Sequence, residues 1–447
     1  MKTIRLTALI LFCAFLLAAR AATAVDYYVD SDYGKDSYDG LAPYSPWATL
    51  SKVNAFRFLP GDRVLFARGR QWRGSLQLQS GAEGAPIYYG GYGEGAKPKF
   101  LGSLPLNHGS CWESAGENLW VCFEEVVPAF GKWDVGNIVI DGTRAAFKRW
   151  RKEDLKAQDD FWYDITGDKR IYYYSDENPG EKYDRLEAAV SKYVISHSGV
   201  SYVVVDGFDV RYGGSHGFGG GDVSHYVIRN CDVSWIGGGD QGRGGGEGGR
   251  VRFGNGIEFW GQADDCLVEN NRLWEIYDAA LTNQGTGGNV ESNITYRGNV
   301  IWNAEYSFEY WNGAGSQTKN ILFENNRCYD AGFGWGHVQR PDPNGRCIMM
   351  YSNGAPTENF VVRGNTFSNA TESLVRVDFT PENPDWPDKT LTLDGNRYFN
   401  DDGRLFFRWR NDQNYTGAQF DEFRAKTGKE EHGAAAPPEK TLEQIND

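Results

Sequence analysis

A strand that recurs between Ser201 and Trp409 constrains this chain more than any other feature. The copies are YVVVDGFDV (202–210), YVIRNCDV (226–233), CLVENNRL (266–273), ITYRGNVI (294–301), ILFENNRC (321–328), FVVRGNTF (360–367) and LTLDGNRY (391–398). Each alternates in polarity and ends in a turn that usually contains Gly or Asn. In the last five copies the second turn residue is Asn271, Asn299, Asn326, Asn365 and Asn396, at steps of 28, 27, 39 and 31 residues. A unit this small cannot bury its own apolar face, so it must stack on its neighbours. A repeat of this length with strand patterning is a solenoid signature. Coils stacked ~4.8 Å apart bring identical amide side chains within hydrogen-bonding reach, which gives the recurrent Asn a physical role. An ordinary β-sandwich has no reason to repeat Asn at one turn.

The pattern resembles the right-handed parallel β-helix of the pectate-lyase-like superfold, in which inward Asn residues form such a ladder. The resemblance implies an all-β solenoid and a secreted, carbohydrate-active protein. In that superfold the strand after the ladder turn builds the groove-bearing sheet. Here those strands are GIEFWG (256–261), AALTNQG (279–285), YSFEYWN (306–312), RCIMMYS (346–352), LVRVDF (374–379) and RLFFRW (404–409).

The rest of the chain divides around the repeats. Residues 1–24 read as a secretory signal, with Lys2 and Arg5, an apolar run Leu6–Ala19 and a small-residue site cut after Ala24. The run is too short to span a bilayer, and a secreted or periplasmic location is expected. Residues 25–104 resemble an N-terminal cap with the first coils, including an N-capped helix near Thr49–Ala55. Residues 105–190 break the period. Phe161–Tyr174 reads as a hairpin turning at Thr166-Gly167-Asp168, and the segment resembles the β-module inserted in several carbohydrate-active β-helix enzymes. The repeats occupy 191–410. In 411–447, FDEFRAKTG reads as a capping helix ended by Gly428, and 434–447 read as a frayed tail.

The formal charge of −14 argues against nucleic acid, whose binding depends on Lys and Arg neutralising phosphates. No membrane partner is expected, and a monomer is. Trp (15) and Tyr (25) are plentiful, which is compatible with stacking on sugar rings. Cys111 and Cys122 lie in one short segment and are a candidate disulfide in an oxidising compartment. Cys231 falls at the ladder position of its turn. Cys266, Cys328 and Cys347 read as small buried thiols. With no CxxC and only six His, no Cys/His metal site is expected.

Two groove strands carry the candidate chemistry. Period-2 alternation turns Ile257/Phe259 and Phe308/Tyr310 one way, and Glu258/Trp260 and Glu309/Trp311 the other. A solenoid core is apolar, so the Glu and Trp are placed outside. Two coils separate the Glu residues, roughly 9.6 Å between Cβ atoms. Carboxylates ~6.5–9.5 Å apart suit inverting glycoside hydrolysis, one as acid and one as base. Two insertions interrupt the repeat just before such strands: the Gly-rich 236–255 and GFGWGHVQRPDPNG (332–345). Both are expected to border one groove, with the Gly-rich one the more mobile. His216, His337, Arg340 and Arg346 are candidate substrate-binding residues, with Trp260 and Trp311 as stacking faces. Asn283 and Gln284 lie on the coil between the Glu residues, for hydroxyl recognition. Asp278 and Asp222 are second-tier candidates. The expected function is a glycoside hydrolase acting on a polysaccharide or oligosaccharide without a cofactor. The alternatives are a uronate-specific polysaccharide lyase, for which calcium is possible, and a non-catalytic glycan-binding protein.

Overall fold

The computed structural model describes residues 24–122, 134–242, 251–351, 356–380, 385–401 and 403–446; the signal segment read at 1–24 lies outside them but for its last residue. Among the described residues one sheet of 27 strands winds around the molecule, and its successive coils pair in parallel. This is a parallel β-helix, and its register explains its core. On one face the column Tyr27, Val64, Tyr89, Val205, Ile228, Val268, Tyr296, Phe323, Val362 and Leu393 runs from coil to coil, each residue pairing with the next. A second face stacks Val210, Val233, Leu273, Ile301, Cys328, Phe367 and Tyr398. The third, groove-bearing face stacks Ile195, Phe218, Ile257, Leu281, Phe308, Ile348, Val375 and Phe407. Almost all are fully buried and they form one core.

The corner between the first two faces needs a left-handed residue, which only Gly and short polar residues adopt cheaply. Gly207, Asn230, Asn270, Gly298, Asn325, Gly364 and Gly395 stand there with φ between 54° and 76°. The next residue points inward and builds the ladder. Asn299 Oδ1 accepts from the backbone N–H and the Nδ2 of Asn271, both at 3.0 Å. Asn326 receives the same pair from Asn299, Asn365 from Asn326, and Asn396 from Asn365, at 2.8–3.1 Å. Each Nδ2 also donates to a backbone carbonyl of the coil before. The ladder is closed at both ends. Cys231, at the expected position, donates its N–H to Asn271 Oδ1 at 2.9 Å. The carboxylate of Glu430 takes both donors of Asn396, at 3.1 and 2.6 Å.

Both ends of the core are covered. At the start, the helix Leu50–Ala55 is capped by Thr49, and Trp47 stacks on Tyr27 at 5.1 Å. At the finish, Phe423 of the helix Phe420–Thr427 stacks on Phe407 at 3.8 Å, and Gly428 closes that helix with φ 65°. The tail beyond is not frayed, contrary to the sequence reading. Ala434–Ala435 pairs with Arg397–Tyr398, and Leu442 and Ile445 pack on the outward aromatics Trp274, Trp302 and Tyr329. An apolar surface needing cover outweighs the polar composition of the tail.

The segment between Ser103 and Ala189 forms a module whose first and last strands, Ser103–Pro105 and Leu186–Ala189, pair antiparallel. The expected hairpin is present, with Trp162 opposite Tyr172. The module has its own core around Trp112, Phe161, Ile171 and Tyr173. Within it Cys111 and Cys122 are buried thiols whose Sγ atoms are 4.0 Å apart.

Asn326→Ala is expected to lower stability by about 1–3 kcal/mol, because it strands the Asn299 donors and the Tyr296 carbonyl in a buried corner. Asn320→Ala, in a parallel but exposed run of amides, is expected to change it by a few tenths of that. Denaturant midpoints of the two variants against the wild type test the contrast.

Candidate active site

The groove is built on the third face, where strict alternation separates core from cleft. Glu258 pairs with Thr282, and Thr282 with Glu309; Trp260 pairs with Gln284, and Gln284 with Trp311. Both Glu side chains leave the core, yet each residue is only 7% exposed. They are not solvated surface carboxylates. The indoles of Trp260 and Trp311 stack over the intervening coil with centroids 6.1 Å apart, and Trp260 remains 42% exposed. Gln284 lies beneath this pair and donates Nε2–H to Glu309 Oε2 at 2.6 Å.

Glu258 is held from behind. Asn255 Nδ2 donates to its Oε1 at 3.3 Å, and His216 Nε2 lies 3.4 Å from its Oε2. The Asn255 backbone N–H donates to His216 Nδ1 at 3.2 Å. A nitrogen that accepts carries no proton, so the neutral ring carries its proton on Nε2, the nitrogen nearer Glu258. Burial, with Lys192 and His197 nearby, pushes the imidazole down to about 3, so the contact is not an ion pair. Burial pushes Glu258 up to about 8, helped by Asp278 and opposed by the Asn255 donor and Lys192. Burial raises Glu309 well above the usual carboxylate range; Asp278 and Glu258 add to this, and Arg340 and Gln284 oppose it. Asp278 is the third carboxylate of the cluster. It is also raised by burial, but Arg340 Nη1 donates to its Oδ1 at 3.0 Å and favours its charged form.

Several sequence expectations change here. Asn283 is not a substrate contact: it is 0% exposed and points into the core, bonded to Glu291, because its phase matches Phe259 and Tyr310. Gln284 faces the groove in its place. His216 is a buried support for Glu258. Arg340 is committed to Asp278, and His337 Nδ1 lies 2.9 Å from Glu305 Oε2. Arg346 is buried against Glu372 and Asn344 one coil further on. None of these three offers a free charge to a ligand. Asp222 is exposed and outside the cluster. The roles of Asn255 and Glu305 carry no signal in the sequence, since neither lies in a repeated position.

Both insertions lie on the same side of the solenoid, as expected. Gly239–Asp240 pairs with Arg252–Phe253, and Phe253 packs its ring on His216 at 5.1 Å. Arg252 reaches Gln339 of the second insertion at 3.4 Å and donates to the Gly238 carbonyl at 2.8 Å. Gln339 in turn holds the module, donating to the Ala146 carbonyl at 2.9 Å and accepting from the Lys148 N–H at 3.1 Å. Residues 243–250, on which the expected mobility of the Gly-rich insertion rests, lie outside the described residues. Among the described residues no group of three or more His, Cys, Asp or Glu is placed to hold a metal ion.

Fold and groove together define a parallel β-helix protein with a desolvated, carboxylate-lined cleft under an aromatic pair. No protein-family model matches the chain. Lacto-N-biosidase of Bifidobacterium longum subsp. longum is 32% identical over 101 residues, which are 22% of this chain and 6% of that enzyme. The chain thus matches only a small part of that curated relative. Among solved structures, XylC in complex with xylose is 12% identical, with 86% of this chain and 76% of that one covered and a TM-score of 0.49. A GH136 lacto-N-biosidase from Eubacterium ramulus is 15% identical, covering 86% and 65%, with a TM-score of 0.38. The pectate lyase Pel9A is 13% identical, covering 93% and 79%, with a TM-score of 0.48.

The raised Glu258 has a signed consequence for stability. Between about 4.5 and about 8 an unfolded Glu ionises while the folded one stays protonated, so the unfolded state gains relative to the folded one. The penalty grows with pH across that window and is constant above it. Glu258→Gln lacks it, so the variant is expected to gain stability relative to wild type as pH rises from 5 to 8, read as a widening difference in melting temperature.

Proposed function

We propose that this chain is a glycan-processing enzyme that hydrolyses glycosidic bonds with Glu258 and Glu309 as its acid–base pair. The observation that carries the reading is their register: equivalent outward positions of aligned strands, two coils apart, both desolvated and each two residues before one of a pair of stacked Trp. The partial sequence relative, a lacto-N-biosidase, supports glycoside hydrolysis.

The surroundings distribute the roles. Glu309 faces two neighbouring carboxyls, Asp278 and Glu258, and receives its one short hydrogen bond from Gln284. These neighbours favour its protonated form, and it is the general acid, donating to the leaving glycosidic oxygen. Glu258 receives a donor from Asn255 and feels the charge of Lys192, both of which favour its ionised form. It is the general base, taking a proton from the attacking water in its ionised fraction, which grows as pH rises towards about 8. A Cβ separation of roughly 9.6 Å across two coils leaves room for that water and corresponds to inversion at the anomeric carbon. Trp260 and Trp311 provide apolar faces for sugar rings at the mouth.

Elimination on a uronate would ask for a cation to neutralise the substrate carboxylate and an uncommitted base. Arg340 and Arg346 are already paired with Asp278 and Glu372, and the cleft is acidic. A neutral glycan fits these charges better.

The test is product analysis on a glycan panel with wild type, Glu258→Gln and Glu309→Gln. New reducing ends without ultraviolet absorbance of an unsaturated uronate are expected from wild type. Each variant is expected to turn over at least about 10²-fold more slowly with the fold intact. Unsaturated products, or near-native rates in both variants, would overturn the reading.

A further inference from the structure

A second cleft lies where the inserted module meets the Gly-rich insertion. It has a volume of about 480 Å³ and is lined by Trp150, Trp162, Ile165 and Thr166 of the module and Asp240 and Gly242 of the insertion. We propose that this cleft is an outlying subsite that binds an uncharged sugar ring of the glycan whose scissile bond lies at Glu258 and Glu309. The proposal rests on the glycan-processing reading for its substrate.

The first argument is chemical. The half-buried indole of Trp162 offers a flat apolar face beside Trp150 and Ile165, and Thr166 and Glu153 supply polar groups at the edge for hydroxyls. Flat apolar surface with a few placed polar groups describes a site for a small ligand, and the volume lies in the range such sites occupy. The cations at the rim are engaged: Arg151 bonds Asp154 at 3.1 Å, and Lys152 Nζ lies 4.0 Å from the centre of the Tyr172 ring. The cleft therefore has little to offer an anionic ring.

The second argument is placement. Trp150 lies two residues beyond Lys148, and Lys148 is locked in a buried joint. Its Nζ bonds Asp134 and the carbonyls of Val135 and Gly238, and its backbone N–H donates to Gln339. Trp162 follows Phe161, which pairs with Lys148. Across the cleft, Asp240 donates its N–H to Asp134 at 3.0 Å, so both walls hang on the same joint. The strand Gly239–Asp240 is paired with Arg252–Phe253, and Phe253 packs on the His216 that supports Glu258. One two-stranded ribbon thus has the carboxylate cluster on one side and the aromatic cleft on the other. A glycan that runs past the carboxylate cluster on the Phe253 side would meet this cleft.

The experiment compares wild type with Trp150→Ala and Trp162→Ala, singly and together, after thermal melting shows each folded. Two readouts are taken: kcat and KM on a long oligosaccharide and on a short aryl glycoside of the same terminal sugar, and calorimetric binding of the long oligosaccharide to Glu309→Gln carrying the same Trp changes. The expected result is a rise of about tenfold in KM and Kd for the long ligand, with the short glycoside unaffected. Trp150→Phe and Trp162→Phe are expected to restore most of the loss. Unchanged constants for the long ligand would overturn the subsite while leaving the Glu pair standing. An equal loss on both substrates would mean a structural role and would also overturn it. Trp-dependent binding with no hydrolysis in wild type would uphold the subsite and remove the catalytic reading instead.

Discussion

Everything in this molecule depends on coils stacking in register at the spacing of hydrogen-bonded strands. A parallel coil buries two neighbours' worth of apolar side chains but leaves a polar corner that must also be satisfied. The Asn ladder meets that demand. From Asn299 on, each amide accepts two hydrogen bonds from the coil before it and passes its own donors on. At the ends Cys231 and Glu430 replace Asn, and Glu430 is itself raised by burial while bonded to Asn396 and Tyr398. The ladder fixes where each strand begins, and with it the phase of every residue that follows.

That phase builds the cleft. Residues on successive strands of the third face recur one coil apart, so one alternation decides which side chains line the core and which line the groove. Glu258, Gln284, Glu309 and the two Trp are brought together by register and not by loops. The loops act afterwards. The second insertion brings Arg340 to Asp278, the first brings Phe253 and Asn255 against His216 and Glu258, and the module holds both through Gln339 and Lys148. The result is a rigid frame around carboxyls that have lost most of their water.

The fold was readable because its determinants repeat. Alternation, the Gly/Asn turn and the ladder Asn are local signals written many times, and the Glu–Trp pairs sit inside two of the copies. Asn283 was misjudged although the signal was present: counting alternation from Phe259 and Tyr310 puts it in the core and Gln284 in the groove. Other features had no local signal. That Arg340 meets Asp278, and Arg346 meets Glu372, depends on where single-copy loops land. The neutral state of His216 depends on its burial, and its tautomer on one backbone N–H aimed at its Nδ1. The tail after Gly433 looked disordered because its composition is polar, but two apolar residues suffice to seat it on the outward Trp column.

The central claim is that two groove carboxyls remain protonated where ordinary Glu residues are ionised. Carbon-13 NMR of the side-chain carboxyls, assigned by the signals lost in Glu258→Gln and in Glu309→Gln, measures this directly. The account predicts that both signals are in the protonated position at neutral pH, with Glu258 moving near pH 8 and Glu309 moving well above the ordinary carboxylate range. Completion of both titrations near the ordinary value of about 4.3 would contradict it.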